Sequence, residues 1–389
     1  MMPLMHPNEI HNSFNSKDLE RLLKWFWQAG RDMPWRKTTD PYKIWLSETM
    51  LQQTQVETVK PFWLKFISKY PTLKDLASAD LQEVLTLWSG LGYYRRARHF
   101  HAASRVIVGE HGGKVPEDVG NLRGLPGVGR YTAGAVASIA FGAPVPVVDG
   151  NVIRVLARLT ANDRDISNSK NVDIFWGLAE QMHVDLAKFR CVSRNPNRHL
   201  HGDLNEALME LGAMVCTPPP TSPSCLLCPL RSSCLAFEQG RQGELPVKTK
   251  RAKTPVVRVV AVVVTRGNEV LLMQRPREGL WGDMWEFPVI EVSAKAQGLQ
   301  SLGLMASKEI GVRLKEVVLC GKVRHQLTHR LFEYTVVRAV VQGRSDVIRR
   351  PAPYRHVRWE PWPLSQSPPF PRARVVHKIA AIAGDNGAL

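Results

Sequence analysis

The chain has 389 residues, which is enough for two or three domains that each bury a core of their own. Lys and Arg number 52 against 35 Asp and Glu, so the formal net charge is +17 and a polyanionic partner is favoured. No apolar run is long enough to span a bilayer and no secretory signal opens the chain, so we expect an intracellular protein without a membrane partner, cytoplasmic and close to the nucleoid if it is bacterial.

The apolar pattern predicts a mobile tail over residues 1–13 and then a run of helices. Ser16 is the expected N-cap of the first helix, and Gly30 is its end. Asp40 can cap a second helix that has Pro41 at its first position. Two further helices are predicted, over residues 58–70 and 81–89.

Glu48 in the second helix and the polar loop before this helix can each be interpreted in two ways, as ordinary structure or as part of a functional site. Glu48 stands among apolar neighbours, and the uncharged residues 49–56 offer it no basic partner. A solvated helix face is the simpler interpretation of Glu48, and a buried acid is the alternative. Before this helix, the loop with Arg31, Trp35 and Arg36 suits either local packing or contact with a ligand.

A turn at residues 90–98 places two tyrosines and three arginines at a helix start. Basic residues interleaved with aromatic ones suit phosphate contact combined with base stacking. A tyrosine pair packed on a neighbouring helix is the alternative interpretation. The turn therefore indicates a candidate contact with nucleic acid.

Residues 121–159 contain the most informative pattern in the chain. Gly127 and Gly129 flank one apolar residue, so backbone N–H groups can approach a ligand just before a helix begins. The third glycine of a dinucleotide-binding loop is missing, and residues 119–124 do not read as a β-branched strand, which disfavours a Rossmann loop. We therefore predict a phosphate-binding turn, followed about twenty residues later by Asp149 after two valines.

Four of the six cysteines lie within nineteen residues. In a reducing compartment this crowding favours a metal site over disulfides. The spacing is Cys216-x8-Cys225-x2-Cys228-x5-Cys234. Four thiolates with a single Cys-x2-Cys pair suit a [4Fe-4S] cluster better than a tetrahedral zinc ion.

The C-terminal third differs from the rest in charge and in periodicity. After residue 240, 25 basic residues stand against 12 acidic ones. A basic linker is predicted over residues 241–255, and strands are predicted over residues 256–265 and 269–274 around a Gly267-Asn268 turn. Residues 256–389 are therefore expected to form a second, α+β domain that contacts nucleic acid.

These segments resemble the helix-hairpin-helix, iron–sulfur DNA glycosylases, and among them the adenine-specific mismatch glycosylases, which remove adenine paired with guanine or 8-oxoguanine. The resemblance covers nearly the whole chain. It implies a mostly α-helical glycosylase domain over residues 14–240 with an iron–sulfur loop at residues 216–234. It also implies a smaller Nudix-like α+β domain over residues 256–389 that recognises 8-oxoguanine, and a monomer acting on double-stranded DNA.

The resemblance implies catalytic roles for residues that match the family's motifs. Glu48 would be the general acid that protonates adenine, and Asp149 the anion beneath the sugar. Asn151 would orient Asp149, and Tyr131 would complete the polar surround. Related enzymes that also cut the strand carry a lysine nucleophile where this chain has Tyr131, so a glycosylase without strand cleavage is expected.

Further residues are matched to contacts with DNA and with the two bases. In the family that the chain resembles, the hairpin binds the DNA backbone, and a glutamine and a tyrosine insert into the duplex. A glutamate borders the base pocket, and a C-terminal loop recognises 8-oxoguanine. The corresponding residues here are Gly127, Gly129 and Arg130 for the hairpin, Gln53 and Tyr93 for insertion, Arg31, Trp35 and Arg36 beside them, Glu206 for the pocket, and Leu327, Thr328, His329 and His325 for the loop.

The chain departs from the family pattern at two places. The first cysteine gap is eight residues where the family has six, so Cys191 competes with Cys216 as the fourth ligand of one [4Fe-4S] cluster. Leu327-Thr328 stands where the family often has Phe-Ser. For Glu206, which matches the family, an exposed helical glutamate is the competing interpretation.

Three further functions are weighed against mismatch-specific adenine removal. Residues 285–311 offer only scattered acids, which disfavours a nucleotide hydrolase. The hairpin and the cysteines also suit an endonuclease III-like glycosylase for oxidised pyrimidines, and a non-catalytic iron–sulfur DNA-binding protein. The presence of both Glu48 and Asp149 argues against the non-catalytic protein.

Overall fold

A computed structural model describes residues 15–188, 198–249, 254–291, 298–342, 353–366 and 369–384. The predicted tail, the competing ligand Cys191 and part of the predicted linker lie outside these ranges. The chain divides into two compact units, one formed by residues 1–77 and 102–251 and the other by residues 78–101 and 252–389. The second unit thus includes a helical segment that precedes the hairpin in sequence. The domain limits expected from the sequence stay a prediction.

The N-terminal part of the chain is helical, as predicted. The helices are α1 (Ser16–Ala29), α2 (Pro41–Leu51), α3 (Val56–Lys69), α4 (Leu73–Ser78), α5 (Leu81–Leu87), α6 (Arg95–Glu110), α7 (Val119–Gly124), α8 (Arg130–Phe141), α9 (Gly150–Leu159), α10 (Ser169–Ala187), α11 (Leu200–Met214) and α12 (Leu235–Glu238). Short 3-10 helices lie at Pro34–Lys37, Cys225–Leu227, Arg231–Ser233 and Leu364–Gln366.

The start of α1 corrects one prediction. Asn15, not Ser16, is the N-cap: its side chain accepts a hydrogen bond from the Asp18 amide at 3.1 Å, and the Asp18 carboxylate accepts one from the Asn15 amide at 3.0 Å. This reciprocal box needs an acidic or amide side chain three residues after the cap, and only Asn15 has one there. The cap of α2 is Asp40 with Pro41 first, as predicted.

A core cluster of the first unit joins α1, α9, α10 and α11. Its fully buried members include Leu22, Leu156, Phe175 and Leu208. This packing fixes the N-terminus of α9 and one face of α11, which both carry polar side chains into the site described below. No helix among the described residues has the length and apolar character needed to cross a membrane.

The second unit contains a mixed sheet. Its described strands and the remaining helices are β1 (Val256–Arg266), β2 (Glu269–Gln274), β3 (Trp285–Glu286), β4 (Val289–Glu291), α13 (Leu299–Ile310), β5 (Leu314–Gln326), β6 (Leu331–Val341), β7 (His356–Pro361) and α14 (Arg374–Ile382). The described strands run in the order β3-β2-β1-β6-β5, with β4 paired to β1 and β7 paired to β2. Strands β1 and β6 are parallel, from Val256 beside Leu331 to Thr265 beside Val340.

The predicted α+β character of this region is confirmed, and so are its first two strands. Residues 259–264 of β1 are buried without interruption, as expected of a central strand. Helix α13 packs Leu302, Ala306 and Ile310 into the core that the sheet forms with Val260 and Val337.

Candidate active site

A cavity of about 1090 Å³ opens in the first unit. It is lined by the end of α2, the hairpin turn before α8, the start of α9 and one face of α11. Most of the residues assigned from the sequence meet here: Arg31, Trp35, Arg36, Glu48, Gln53, Gly127, Gly129, Arg130, Tyr131, Asp149, Asn151 and Glu206. Tyr93 and residues 325–329 belong to the second unit.

Glu48 is a buried acid, so the interpretation as a solvated helix face is wrong. It is 6% exposed, on a helix whose residues 44–50 are all buried. Burial raises the pKa of Glu48 to about 7, and a 2.9 Å hydrogen bond that Tyr131 Oη donates to Glu48 Oε2 acts in the opposite direction. Glu48 can therefore carry a proton near neutral pH, as a general acid must.

Asp149 is the N-cap of α9. Its Oδ1 accepts hydrogen bonds from the backbone N–H groups of Asn151 at 2.9 Å and Val152 at 2.8 Å, and its Oδ2 accepts one from Asn151 Nδ2 at 2.8 Å. Partial burial raises the pKa of Asp149, and these three donors oppose the rise. The positive end of the α9 dipole also favours an anion here. Glu48 and Asp149 are thus two carboxylates in different environments within one cavity.

Arg154 joins this carboxylate to the cysteine loop. Its Nη2 donates to Asn151 Oδ1 at 2.9 Å and to the Gly212 carbonyl at 2.7 Å, and its Nε donates to the Cys216 carbonyl at 2.7 Å. A continuous path of hydrogen bonds therefore runs from the Cys216 backbone through Arg154 and Asn151 to Asp149. Sequence reasoning missed Arg154, although its position three residues after Asn151 puts both on one helix face.

Carboxylates and arginines form a second network on the wall of the cavity. Arg36 donates to Glu206 at 2.8 Å and to Glu210 at 3.1 Å, and Arg31 donates to both oxygens of Glu210 at 2.8 and 2.9 Å. Arg198 also pairs with Glu206. Burial raises the pKa of Glu210, but the bonds from Arg31 and Arg36 outweigh it and lower the pKa to about 2.

The burial of Glu206 and Trp35 bears on two interpretations that the sequence left open. Glu206 is 6% exposed, so the exposed helical glutamate is excluded. Trp35 is also buried, and its ring meets that of Trp63 edge-on at a centroid distance of 6.0 Å. Contact of DNA with the loop that carries Trp35 stays a prediction. Glu210 was missed, although it follows Glu206 by four residues and so shares its helix face.

The glycine turn connects α7 to α8, and the exclusion of a β-strand before it is confirmed. Gly127 has φ of 76°, a conformation that side chains rarely adopt. Gly129 caps α8 with φ of −92°, and a Cβ built on it would meet nothing within 4 Å. Glycine at 129 is therefore required neither by the backbone nor by packing within the chain, and it leaves the amides at the start of α8 uncovered. Next to it, the Arg130 guanidinium lies 3.9 Å from the Trp176 ring centroid.

Comparisons with known proteins agree with this geometry. Residues 46–181 match the HhH-GPD superfamily of base excision DNA repair proteins, and residues 259–381 match the NUDIX domain. The adenine DNA glycosylase of Rattus norvegicus is 37% identical over 87% of this chain and 73% of its own length, and that of Homo sapiens is 37% identical over 85% and 68%. The chain belongs to the adenine DNA glycosylase family.

The family assignment confirms the two-part fold expected from the sequence, a helix-hairpin-helix glycosylase domain followed by a Nudix-like domain. It also confirms the expectation of a base-excision enzyme that acts on N-glycosyl bonds. A solved structure described as a thermostable thymine-DNA glycosylase is 30% identical, with a TM-score of 0.47, and the likeness covers 58% of this chain and 98% of that one.

Three of the four cysteines in the predicted iron–sulfur loop of this glycosylase have raised pKa values. Burial, then the neighbouring thiols, raise the pKa of Cys228 to about 12, and burial followed by Cys216 raises the pKa values of Cys225 and Cys234. Arg158 Nη1 donates to Cys216 Sγ at 3.2 Å. In the described part of the chain, no group of three His, Cys, Asp or Glu side chains is arranged to hold a metal ion.

Gln53 and Tyr93, the two side chains assigned to insertion, share an unusual backbone conformation. Their φ angles are 56° and 49°, and both side chains are exposed. Positive φ is uncommon for residues other than glycine and is concentrated at functional sites. The interpretation of Tyr93 as a packed aromatic fits poorly with its 47% exposure.

The loop assigned to 8-oxoguanine is the turn between β5 and β6, closed by a 2.8 Å hydrogen bond from the Leu327 amide to the Arg330 carbonyl. Thr328 and His329 are exposed at its tip, whereas the His325 ring lies 5.6 Å from that of Trp281. Thr328 Oγ1 is 3.1 Å from Tyr93 Oη within the second unit. Two residues that the sequence places far apart are therefore hydrogen-bonded neighbours.

Proposed function

We propose that this glycosylase hydrolyses the N-glycosidic bond of adenine mispaired with 8-oxoguanine or guanine in duplex DNA, which prevents G:C to T:A mutations. The pairing of Glu48 with Asp149 in one cavity carries the proposal. One carboxyl group has a pKa near neutrality, and the other is held by three hydrogen-bond donors at a helix N-terminus. The membership of the chain in the adenine DNA glycosylase family supports adenine as the base removed.

The reaction would proceed on an extruded adenine, since the bond is out of reach inside a duplex. Glu48 donates its proton to adenine N7, and the C1′–N9 electron pair leaves with the base. Because Tyr131 donates to Oε2 of Glu48, Oε1 is the oxygen left to carry the transferable proton. Asp149 stabilises the oxocarbenium-like sugar that results, and water then adds to C1′.

The hairpin amides and Arg130 are proposed to bind a phosphate of the damaged strand, and Gln53 and Tyr93 to enter the duplex. Thr328, with Leu327, His325 and His329 around it, is proposed to recognise 8-oxoguanine. The exposure of Thr328 and the open approach to Gly129 support these assignments. The protein is proposed to act as a monomer.

Incubation with duplexes carrying A:8-oxoguanine, A:G, A:T and thymine glycol tests this function. We expect adenine release from the first two duplexes only. Strand cleavage should need added alkali, because Tyr131 has no amine with which to form an imine. Stoichiometric trapping of the protein on DNA by borohydride, or release of thymine glycol, would contradict the proposal and favour an endonuclease III-like activity.

We further propose that Cys216, Cys225, Cys228 and Cys234 hold one [4Fe-4S] cluster. Burial and the neighbouring cysteines raise the pKa values of Cys225, Cys228 and Cys234, and bound iron would relieve the repulsion between their thiolates. In addition, Arg158 Nη2 is buried beside the loop without a hydrogen-bond partner among the described residues. An anionic iron–sulfide group offers acceptors for such a donor. In a cluster, each thiolate binds a separate iron, so the four sulfur atoms lie farther apart than the ligands of a single metal ion. The four cysteines can therefore hold a cluster although the described part of the chain has no site for a single ion. When bound, the cluster would act as a structural cross-link.

Purified protein is expected to contain about four irons and four acid-labile sulfides per chain, as befits a four-cysteine cubane. The Cys216→Ser variant should lose this content, and Cys320→Ser, which changes a cysteine outside the loop, should keep it. Metal analysis of anaerobically purified protein makes the measurement. Stoichiometric zinc without iron would contradict the cluster, and an intact cluster in Cys216→Ser would move the fourth ligand to Cys191.

A further inference from the structure

The segment that delivers Asp149 has no regular secondary structure of its own. Residues 142–149 lie between α8 and α9 without helix or strand. Val147 and Val148 in this segment are buried, and buried backbone N–H and C=O groups need hydrogen-bond partners. The hydrogen-bond partners of this backbone therefore determine the position of Asp149.

Asn205 of α11 supplies two of these partners with one side chain. Its Oδ1 accepts a hydrogen bond from the Val147 amide at 3.0 Å, and its Nδ2 donates to the Val145 carbonyl at 2.9 Å. The amide thus pairs with the segment as the edge of a β-strand would. Asn205 is 0% exposed, so these bonds are shielded from water.

The Asn205 side-chain amide forms two further hydrogen bonds, and these link it to two other helices. Its Nδ2 also donates to Ser138 Oγ on α8 at 2.9 Å, and its Oδ1 lies 3.1 Å from Nε2 of His183 on α10. All four hydrogen-bonding positions of the amide are therefore used. A side chain held in this way has one orientation only.

The segment also contacts α8 by backbone packing. A Cβ added to Gly134 of α8 would stand 2.6 Å from the Pro146 carbonyl oxygen, so the two backbones touch. Val147, the next residue, is fully buried. The segment is thus held by α8 and by the Asn205 amide, which bonds to the Val147 backbone two residues before Asp149.

We propose that Asn205 is a positioning residue for Asp149, setting the height of the carboxylate beneath the sugar. Asn205 does not line the cavity, so it acts through the backbone at Val147 and not on the substrate. Displacements on the order of 1 Å at a reacting centre can cost about a hundredfold in rate. This inference rests on the proposed role of Asp149 in adenine excision.

The test compares Asn205→Ala, which removes all four hydrogen bonds, with Asn205→Asp, which keeps the shape and the acceptor for the Val147 amide. Leu208→Ala is the matched control, because Leu208 is fully buried on the same helix but packs in the core between α1, α9, α10 and α11. Single-turnover excision and duplex affinity are measured well below each variant's melting temperature. Hydrogen exchange of the peptide that contains residues 143–149 is measured by mass spectrometry.

Asn205→Ala should lose at least about tenfold in the single-turnover rate constant with duplex affinity retained, and its peptide should exchange faster. Asn205→Asp should lose less, and Leu208→Ala should be less stable yet excise adenine normally. If Asn205→Ala fails to fold, Asn205→Asp carries the same comparison. Wild-type rates in a folded Asn205 variant, or an equal loss in Leu208→Ala, would overturn the positioning role.

Asp149→Asn, measured in parallel, separates this inference from the function on which it rests. If Asp149→Asn is inactive while Asn205→Ala is fully active, only the positioning role of Asn205 fails. If Asp149→Asn itself excises adenine at the wild-type rate, the proposed role of Asp149 fails, and the positioning role falls with it.

Discussion

Replacing Glu48 by glutamine is expected to lower the single-turnover rate constant of adenine excision by roughly 10²- to 10⁴-fold, because the leaving base loses its proton donor. Asp149→Asn should cause a loss of similar size by removing the negative charge beneath the sugar. Asparagine is as good a helix N-cap as aspartate, so α9 should keep its start in the Asp149 variant. Duplex affinity, measured by titration, should remain nearly unchanged in both variants.

The pH dependence provides a control for the assignment of Glu48. With a pKa of about 7, the wild-type rate constant should fall as pH rises through 7 and the acid is lost. The folded-state pKa lies above the ordinary value of 4.5, so the stability that protonated Glu48 contributes is present in full below pH 4.5 and is lost as pH rises through 7. At pH 8, Glu48→Gln should therefore be more stable by up to roughly 3 kcal/mol while being inactive. Near-normal excision by either variant would remove that residue from catalysis.

Thr328→Val is expected to reduce the preference for 8-oxoguanine over guanine by roughly 10- to 100-fold, the value of one good discriminating contact. The change keeps the shape of the side chain and removes the hydroxyl that can accept from N7–H of the oxidised base. Rates on A:8-oxoguanine and A:G duplexes, compared under single-turnover conditions, measure the preference. Catalysis opposite guanine should be little affected.

Tyr93→Phe is the matched control for this loop, because it removes the hydroxyl 3.1 Å from Thr328 Oγ1 and keeps the ring. It should retain the preference for 8-oxoguanine. A Thr328→Val protein that keeps the full preference for 8-oxoguanine would show that recognition lies elsewhere.

Deleting the C-terminal region is a poorer test, because Ser89 and Tyr94 donate to the Arg372 carbonyl and Arg98 donates to that of Gly282. The deletion would therefore uncover the segment that carries Tyr93.

The sequence predicted those parts of the structure that local pattern determines. The strands from Val256 and Glu269 follow from alternation and a Gly-Asn turn, and the hairpin follows from glycines placed before a helix. The burial of Glu48 could not be decided locally, because it depends on helices packed around α2 from distant parts of the chain. Arg154 was missed because only one side of its network, at Asn151, is near in sequence, whereas its bonds to Gly212 and Cys216 span 58 and 62 residues. Asn205 was missed because nothing near it in sequence marks its partners, the most distant of which, Ser138, lies 67 residues away.

The left-handed backbones of Gln53 and Tyr93 bear on how the protein meets a duplex. A non-glycine residue at positive φ costs on the order of 1–3 kcal/mol and persists only where its surroundings enforce it. The backbone at each of the two residues is thus already fixed before DNA arrives. If they enter the duplex as proposed, little backbone entropy remains to be lost at either position on contact. More of the free energy gained from contacts with the DNA backbone would then be available for unstacking the target base.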